Sequence, residues 1–170
     1  MSYLRKYLAE FVYGAIDGTV TTFAVIAGAL GASLSPAVIL ILGFANLFAD
    51  GFSMAVSNYL STKSNNDLLV INSEKFPVKT AWATFVSFVV IGFIPLFSFV
   101  VAPFSSFVDS HKFIISIILT ALAFFGIGWT KGIVVEKNHF SSALETLLVG
   151  GAAAVIAYSV GYFLRGVINP

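Results

Sequence analysis

Two aspartates stand inside long apolar runs of this 170-residue chain, Asp17 in the stretch 8–31 and Asp50 in the stretch 36–60. As helices, with about 1.5 Å of rise per residue, these stretches put Asp17 roughly 14 Å from the basic start of the first and Asp50 roughly 15 Å from the polar end of the second. In an antiparallel pair the two carboxyl groups therefore share one depth. Each ionised carboxylate costs at least about 2.5 to 3.5 kcal/mol at the centre of a membrane helix, which turns both away from lipid. No Lys, Arg or His occupies the middle of any apolar stretch. Compensation is left to a proton, a bound cation or penetrating water, and proton and cation compete for the same oxygens. The plainer role for such an Asp is a protonated group that hydrogen-bonds one helix to another.

The spacing around Asp50 favours a cation. Asn46, Asp50, Met54 and Asn58 recur every fourth residue and share one slowly rotating helical face. Met54 is about 9 Å from the polar end of its stretch. Glu10 lies seven residues before Asp17 on the same face of the first helix. A cation arriving from that end meets Glu10 and Met54 first and the Asp pair after them. A lone Met packs as a gap-filler, but this one is a single turn from a carboxylate. Carboxylate, amide and thioether together suit a divalent first-row ion such as iron or manganese better than zinc, and calcium also fits oxygen donors. The candidate metal-contacting residues are Asp17, Asp50, Met54, Glu10, Asn46 and Asn58. Metal and protons are then substrates, and no permanently bound cofactor is expected.

The elements that must hold these residues follow from composition. With 58% hydrophobic and 10% charged residues and a mean hydropathy of +0.96, the chain cannot clothe a water-facing surface, which needs about 25% charge. A net charge of +1 gives no field for nucleic acid, and the absence of Cys excludes disulfides and thiolate sites. Five apolar stretches, 8–31, 36–60, 80–101, 113–130 and 141–164, are long enough to cross a bilayer core about 30 Å thick. The expectation is an all-α membrane protein, residues 1–170 forming a single transmembrane domain of five helices. Glu10 and Asp17 interrupt the first stretch more than a cleavable signal allows. Pro36 suits the first turn of the second helix, Pro95 after Gly92 kinks the third, and 63–79, 103–112 and 131–140 read as connections. His111 and His139 fall in connections on opposite sides, and Glu145 reads as a partner for the positive end of the fifth helix.

Arg5, Lys6, Lys63, Lys75, Lys79, Lys131 and Lys137 fall on one side of this topology and only Lys112 and Arg165 on the other. The excess of basic residues puts the N-terminus in the cytosol and the C-terminus outside or in a lumen. Short connections lean towards a bacterial plasma membrane. Small residues mark where helices approach closely: Ala45, Ala49, Ser53, Ser57 and Ser61 on the second helix, Gly14 and Gly18 around Asp17, and Gly150, Ala154, Ala157 and Gly161 on the fifth. Packing of the first helix against its own copy would make a homodimer with two Asp17 and two Asp50 side chains at a shared axis.

These residues also carry a family resemblance. The run Glu10-Phe11-Val12-Tyr13-Gly14-Ala15-Ile16-Asp17-Gly18-Thr19-Val20-Thr21-Thr22 resembles the first-helix signature of the vacuolar iron transporter family. Ala49-Asp50-Gly51-Phe52-Ser53-Met54-Ala55, followed by Tyr59-Leu60-Ser61, resembles its second-helix signature, and weaker likeness continues through Ile94-Pro95-Leu96 and residues 149–154. The resemblance implies five membrane helices, a homodimer, and proton-coupled export of ferrous iron, sometimes manganese, from the cytosol. It places Asp17 and Met54 on the transport pathway, Asp50 beside them and Glu10 towards the cytosolic mouth. The chain departs from the family pattern twice. The Glu-rich helical metal-binding domain between the second and third helices is replaced by 62–79, whose acids are Asp67 and Glu74, and the Gly-Glu-Tyr of many members is Ser57-Asn58-Tyr59.

Two other functions fit parts of the pattern. Asp17-Gly18 and Asp50-Gly51 at one depth resemble the paired carboxylates of an intramembrane aspartyl protease, but the Gly-x-Gly-Asp motif is absent and Met54 has no role in peptide hydrolysis. A non-transporting scaffold or accessory subunit would leave both Asp residues without a task.

Overall fold

The computed structural model describes residues 3–68 and 75–168, with backbone alone for residues 3–5 and 168. Glu74 and the Arg5 side chain, both named above, lie outside the described residues. The chain is helical: α1 (Tyr3–Gly31), α2 (Pro36–Leu68), α3 (Pro77–Gly92), α4 (Phe97–Val101), α5 (Ser106–Val134) and α6 (His139–Ile168), with short 3-10 turns at Ile94–Leu96 and Ala102–Phe104. Among the described residues five helices are long and apolar enough to cross a membrane: Lys6–Gly31, Pro36–Leu68, Pro77–Phe104, Ser106–Val134 and His139–Val167. Large apolar side chains, among them Phe52, Trp82, Leu122, Val155 and Phe163, lie exposed around the bundle. This is the surface of a multi-pass membrane protein in contact with lipid.

The helix α1 is central. It packs most widely on α3 and α6 and also touches α2 and α5, while α2 lies on one flank against α3 and α1, and α6 on the other against α1 and α5. The apolar core of Phe23, Ile26, Ile39, Leu47, Phe88, Leu96 and Phe99 sits towards the end where α1 turns into α2. Met54 packs against this cluster.

Glycines decide how closely these helices approach. A Cβ on Gly14 would strike the Thr84 carbonyl and the Ser87 hydroxyl, and one on Gly18 would stand 2.5 Å from the Phe88 carbonyl oxygen, so the Gly14–Gly18 pair seats α3. Within the chain, the Gly14–Gly18 face of α1 is thus taken by α3. Ala157 and Gly161 of α6 meet Gly28 of α1, and Gly150 accommodates the Phe124 ring of α5. The small stripe of α2, from Ala45 to Ser61, is by contrast exposed along its length.

The α1–α2 turn falls where the sequence reads it, between Gly31 and Pro36, whereas other helix ends differ. Ser33 adopts φ 56°, and Leu34 N–H closes on the Ala29 carbonyl at 2.8 Å, a left-handed helix end followed by Pro36 at the start of α2. At the α5–α6 turn Glu136, with φ 57°, does the same as Lys137 N–H reaches the Gly132 carbonyl at 3.0 Å. The polar residues 64–67 belong to α2, whose 33 residues span about 50 Å and so outrun the bilayer core. Residues 106–112, read above as connection, open α5: Ser105 caps the helix and Asp109 lies in its first turn. His111 is thus an exposed residue of α5, and His139 opens α6. Glu145 lies beyond the first turn of α6 and pairs with Lys131 at 3.6 Å, so the helix-start role given to it is also corrected.

The third span breaks where Pro95 removes a backbone donor. The break is fastened to α5 by the Ser116 hydroxyl, which donates to the Pro95 carbonyl at 2.7 Å, and by Ser98, which donates to the Lys112 carbonyl at 2.7 Å.

Candidate functional site

The candidate residues fall into two levels between α1 and α2. Near the lysine-rich end, an open cleft of about 490 Å³ is lined by Ala9, Glu10 and Tyr13 of α1 and by Ser53, Met54, Ser57, Asn58 and Ser61 of α2. Glu10, Met54 and Asn58 are therefore brought together. The Asn58 amide nitrogen donates to the Thr84 hydroxyl at 2.6 Å, which ties α2 to α3 and leaves the amide oxygen as the acceptor this residue can offer.

Glu10 is only 9% exposed. Its Oε1 accepts from Lys75 Nζ at 2.7 Å, while Oε2 is buried with no hydrogen-bond partner among the described residues. The backbone that carries Lys75 is clamped: its carbonyl accepts from Asn66 Nδ2 at 3.1 Å, the next N–H, of Phe76, donates to the Tyr7 hydroxyl at 3.3 Å, and Thr62 and Thr80 pair at 3.1 Å. Lys75 is not among the sequence-derived candidates. Sixty-five residues separate it from Glu10, and no spacing rule links a connection to the first turns of a distant helix.

One turn deeper than Tyr13 and Met54 lie Asp17 and Asp50. The two are close enough to repel one another, and among the described residues neither forms a salt bridge, the pairs present being Lys75 with Glu10, Lys112 with Asp109 and Lys131 with Glu145. Asp17 and Asp50 are outside the lining of the cleft. Asn46, a further turn on, donates from its amide to Thr21 at 3.2 Å and to Thr22 at 3.5 Å, and Thr21 in turn donates to the Asp17 carbonyl at 2.8 Å. Asn46 thus binds α1 to α2 behind the carboxylates. Among the described residues no three His, Cys, Asp or Glu side chains converge as a metal site. One chain supplies a carboxylate at the mouth and a pair at mid-depth, with soft and amide donors between them. Such a set can pass a hard-to-borderline cation from donor to donor without holding it in a closed cage.

Comparison with known proteins bears on the same residues. The sequence pattern of the VIT family matches residues 8–75 and 69–162, two stretches that meet in the α2–α3 connection. The chain is similar to a vacuolar iron transporter of Toxoplasma gondii, 25% identical over 229 residues that take in 96% of this chain and 76% of the relative. It is also similar to vacuolar iron transporter homologs 3 and 4 of Arabidopsis thaliana, 29% identical over 167 residues, covering 90% of this chain and 80% of the relative, and 30% identical over 164 residues, covering 88% and 79%. The Toxoplasma alignment is longer than the present chain, whereas the Arabidopsis alignments are close to its own length. With the Asp-Gly motifs of α1 and α2 inside the matched stretches and nearly the whole length accounted for, this chain belongs to the VIT family.

Proposed function

We propose that the protein moves a divalent cation, ferrous iron or manganese, out of the cytosol in exchange for protons. The observation that carries this reading is the stack of donors between α1 and α2: Glu10, Met54 and Asn58 around an open cleft, with Asp17 and Asp50 close together one turn deeper and no basic side chain paired to them among the described residues. Relatives bearing the name vacuolar iron transporter support iron as the cargo. The excess of Lys and Arg at the Glu10 end supports a cytosolic N-terminus and an outward C-terminus. The short connections support a bacterial plasma membrane. In the cycle proposed, metal passes Glu10 and Met54, displaces protons from Asp17 and Asp50, and leaves on the far side when protons return after an alternating-access step.

Met54 separates transport from proteolysis. In proteoliposomes loaded with a metal-sensitive dye, Met54→Ala should lower ferrous flux about tenfold or more, with the helical content of the wild type. Wild-type flux in this variant would remove Met54 from the pathway and weaken the transport reading against its rivals.

A homodimer completes the proposal. The exposed stripe of Ala45, Ala49, Ser53, Ser57 and Ser61 borders the open side of the cleft, so a second copy seated there would close it and double the carboxylates. The chain has no Cys, which makes a single introduced thiol diagnostic. Oxidation of Ser57→Cys should give a disulfide-linked dimer on a denaturing gel, and Val90→Cys, on the exposed face of α3, should not. Equal cross-linking of the two variants would place the interface elsewhere.

A further inference from the structure

Glu10 and Lys75 form an asymmetric pair. The Glu10 side chain is 11% exposed and Lys75 39%, so the carboxylate is fixed inside the cleft wall while the ammonium reaches it from water. The backbone on which Lys75 hangs is held by Asn66 and, through Phe76, by Tyr7, and a flexible four-carbon stem carries its ammonium to Glu10. A buried carboxylate needs a counter-charge. Lys75 supplies one to Oε1, and the second oxygen has no partner among the described residues. The carboxylate is thus compensated by a charge that can leave, at the mouth of the route assigned to the cation.

We propose that Lys75 is a tethered resident cation at the cleft mouth, which an incoming divalent ion must displace from Glu10, so that this lysine sets the apparent metal affinity. The inference rests on the reading of the protein as a metal transporter. A divalent ion carries twice the charge of the ammonium and can engage both oxygens, so displacement is feasible, but every docking event competes with the tether. Lys75 acts through Glu10 and is a positioning residue, since it touches no cargo.

The test uses the full chain. Manganous ion alone is the probe, its free concentration read by electron paramagnetic resonance at equilibrium with purified protein in detergent, and its flux measured in proteoliposomes. Lys75→Met should tighten binding and lower KM by roughly three- to fivefold, the upper end of the scale of one partly exposed charge pair, with the maximal rate unchanged. Lys75→Arg, which keeps the pair, should stay within about twofold of wild type. In a Glu10→Gln background Lys75→Met should add nothing. If Lys75→Met does not fold, Lys75→Gln carries the same expectation. Binding in the neutral variant that is equal to or weaker than wild type, an equal gain without Glu10, or no binding by any variant would overturn the inference. Wild-type protein that shows the binding pattern yet moves no metal would leave Lys75 as the tether and sink the transport reading instead.

Discussion

Asp17→Asn should all but abolish metal flux, by roughly 100-fold or more, and leave the bundle standing. Asn has nearly the shape of Asp but neither carries the charge nor exchanges the proton. The structure gives no reason for a folding defect: the Asp17 group that takes part in a described hydrogen bond is its backbone carbonyl, which accepts from Thr21, and the side chain forms no ion pair among the described residues. Replacing an ionisable side chain at mid-span by a neutral one lowers the cost of keeping it there. Thermal unfolding in detergent should therefore show a melting temperature equal to or above that of wild type. A scaffold or accessory subunit would be indifferent to the change. Intact flux in the Asp17→Asn variant would therefore favour that rival, and lost flux together with lost folding would assign Asp17 to structure.

Gly18→Leu should prevent the chain from accumulating as a monodisperse folded protein. The position is one residue from Asp17, but the reason is packing. A Cβ there would lie 2.5 Å from the Phe88 carbonyl oxygen and 2.9 Å from its Cα, and on the facing helix a Cβ at Gly92 would lie 2.8 Å from the Gly18 carbonyl carbon. Both sides are backbone and cannot yield as a side-chain tip would, so α1 and α3 must separate along the widest helix contact in the molecule. Overpacking of this kind exceeds the usual cost of about 1 to 3 kcal/mol. Gly126 and Gly151, where an added methyl group would meet nothing within 4 Å, provide the controls: Gly126→Ala and Gly151→Ala should melt within a few degrees of wild type. Size-exclusion profiles and thermal melts decide the matter, and a Gly18→Leu protein with wild-type stability would refute the α1–α3 packing described above.

The five spans were legible because each apolar run exceeds what a soluble helix buries, and the Pro95 break because proline deletes a donor. Helix ends were legible at the α1–α2 turn, where Gly31 and Pro36 fall as the sequence reads, but not at the other connections. Hydropathy reports contact with lipid, whereas residues 64–67 of α2 and 106–112 of α5 continue their helices in polar surroundings. The four-residue periodicity put Asn46, Asp50, Met54 and Asn58 on one face, yet it could not show that Asn46 and Asn58 spend their amide hydrogens on Thr21 and Thr84. Nor does a Gly-x-x-x-Gly motif name its partner: Gly14 and Gly18 receive α3, and the stripe left open is on α2. The Glu10–Lys75 pair depends on residues 75 and 76 meeting the start of α1, a tertiary event without a local signature. The α2–α3 connection reads in sequence as a missing capture domain, and its last two residues, Lys75 and Phe76, meet Glu10 and Tyr7 of α1 in the structure.

Metal and protons, in the proposed cycle, use the same carboxylates in opposite directions. The most direct test is flux of ferrous and manganous ions into sealed proteoliposomes under an imposed pH gradient, with the gradient then reversed. Metal should accumulate in the more acidic interior, stop when the gradient is collapsed, and leave the vesicles when the gradient is inverted. Metal movement that is indifferent to the gradient, or no movement of either ion by folded protein, would contradict the account.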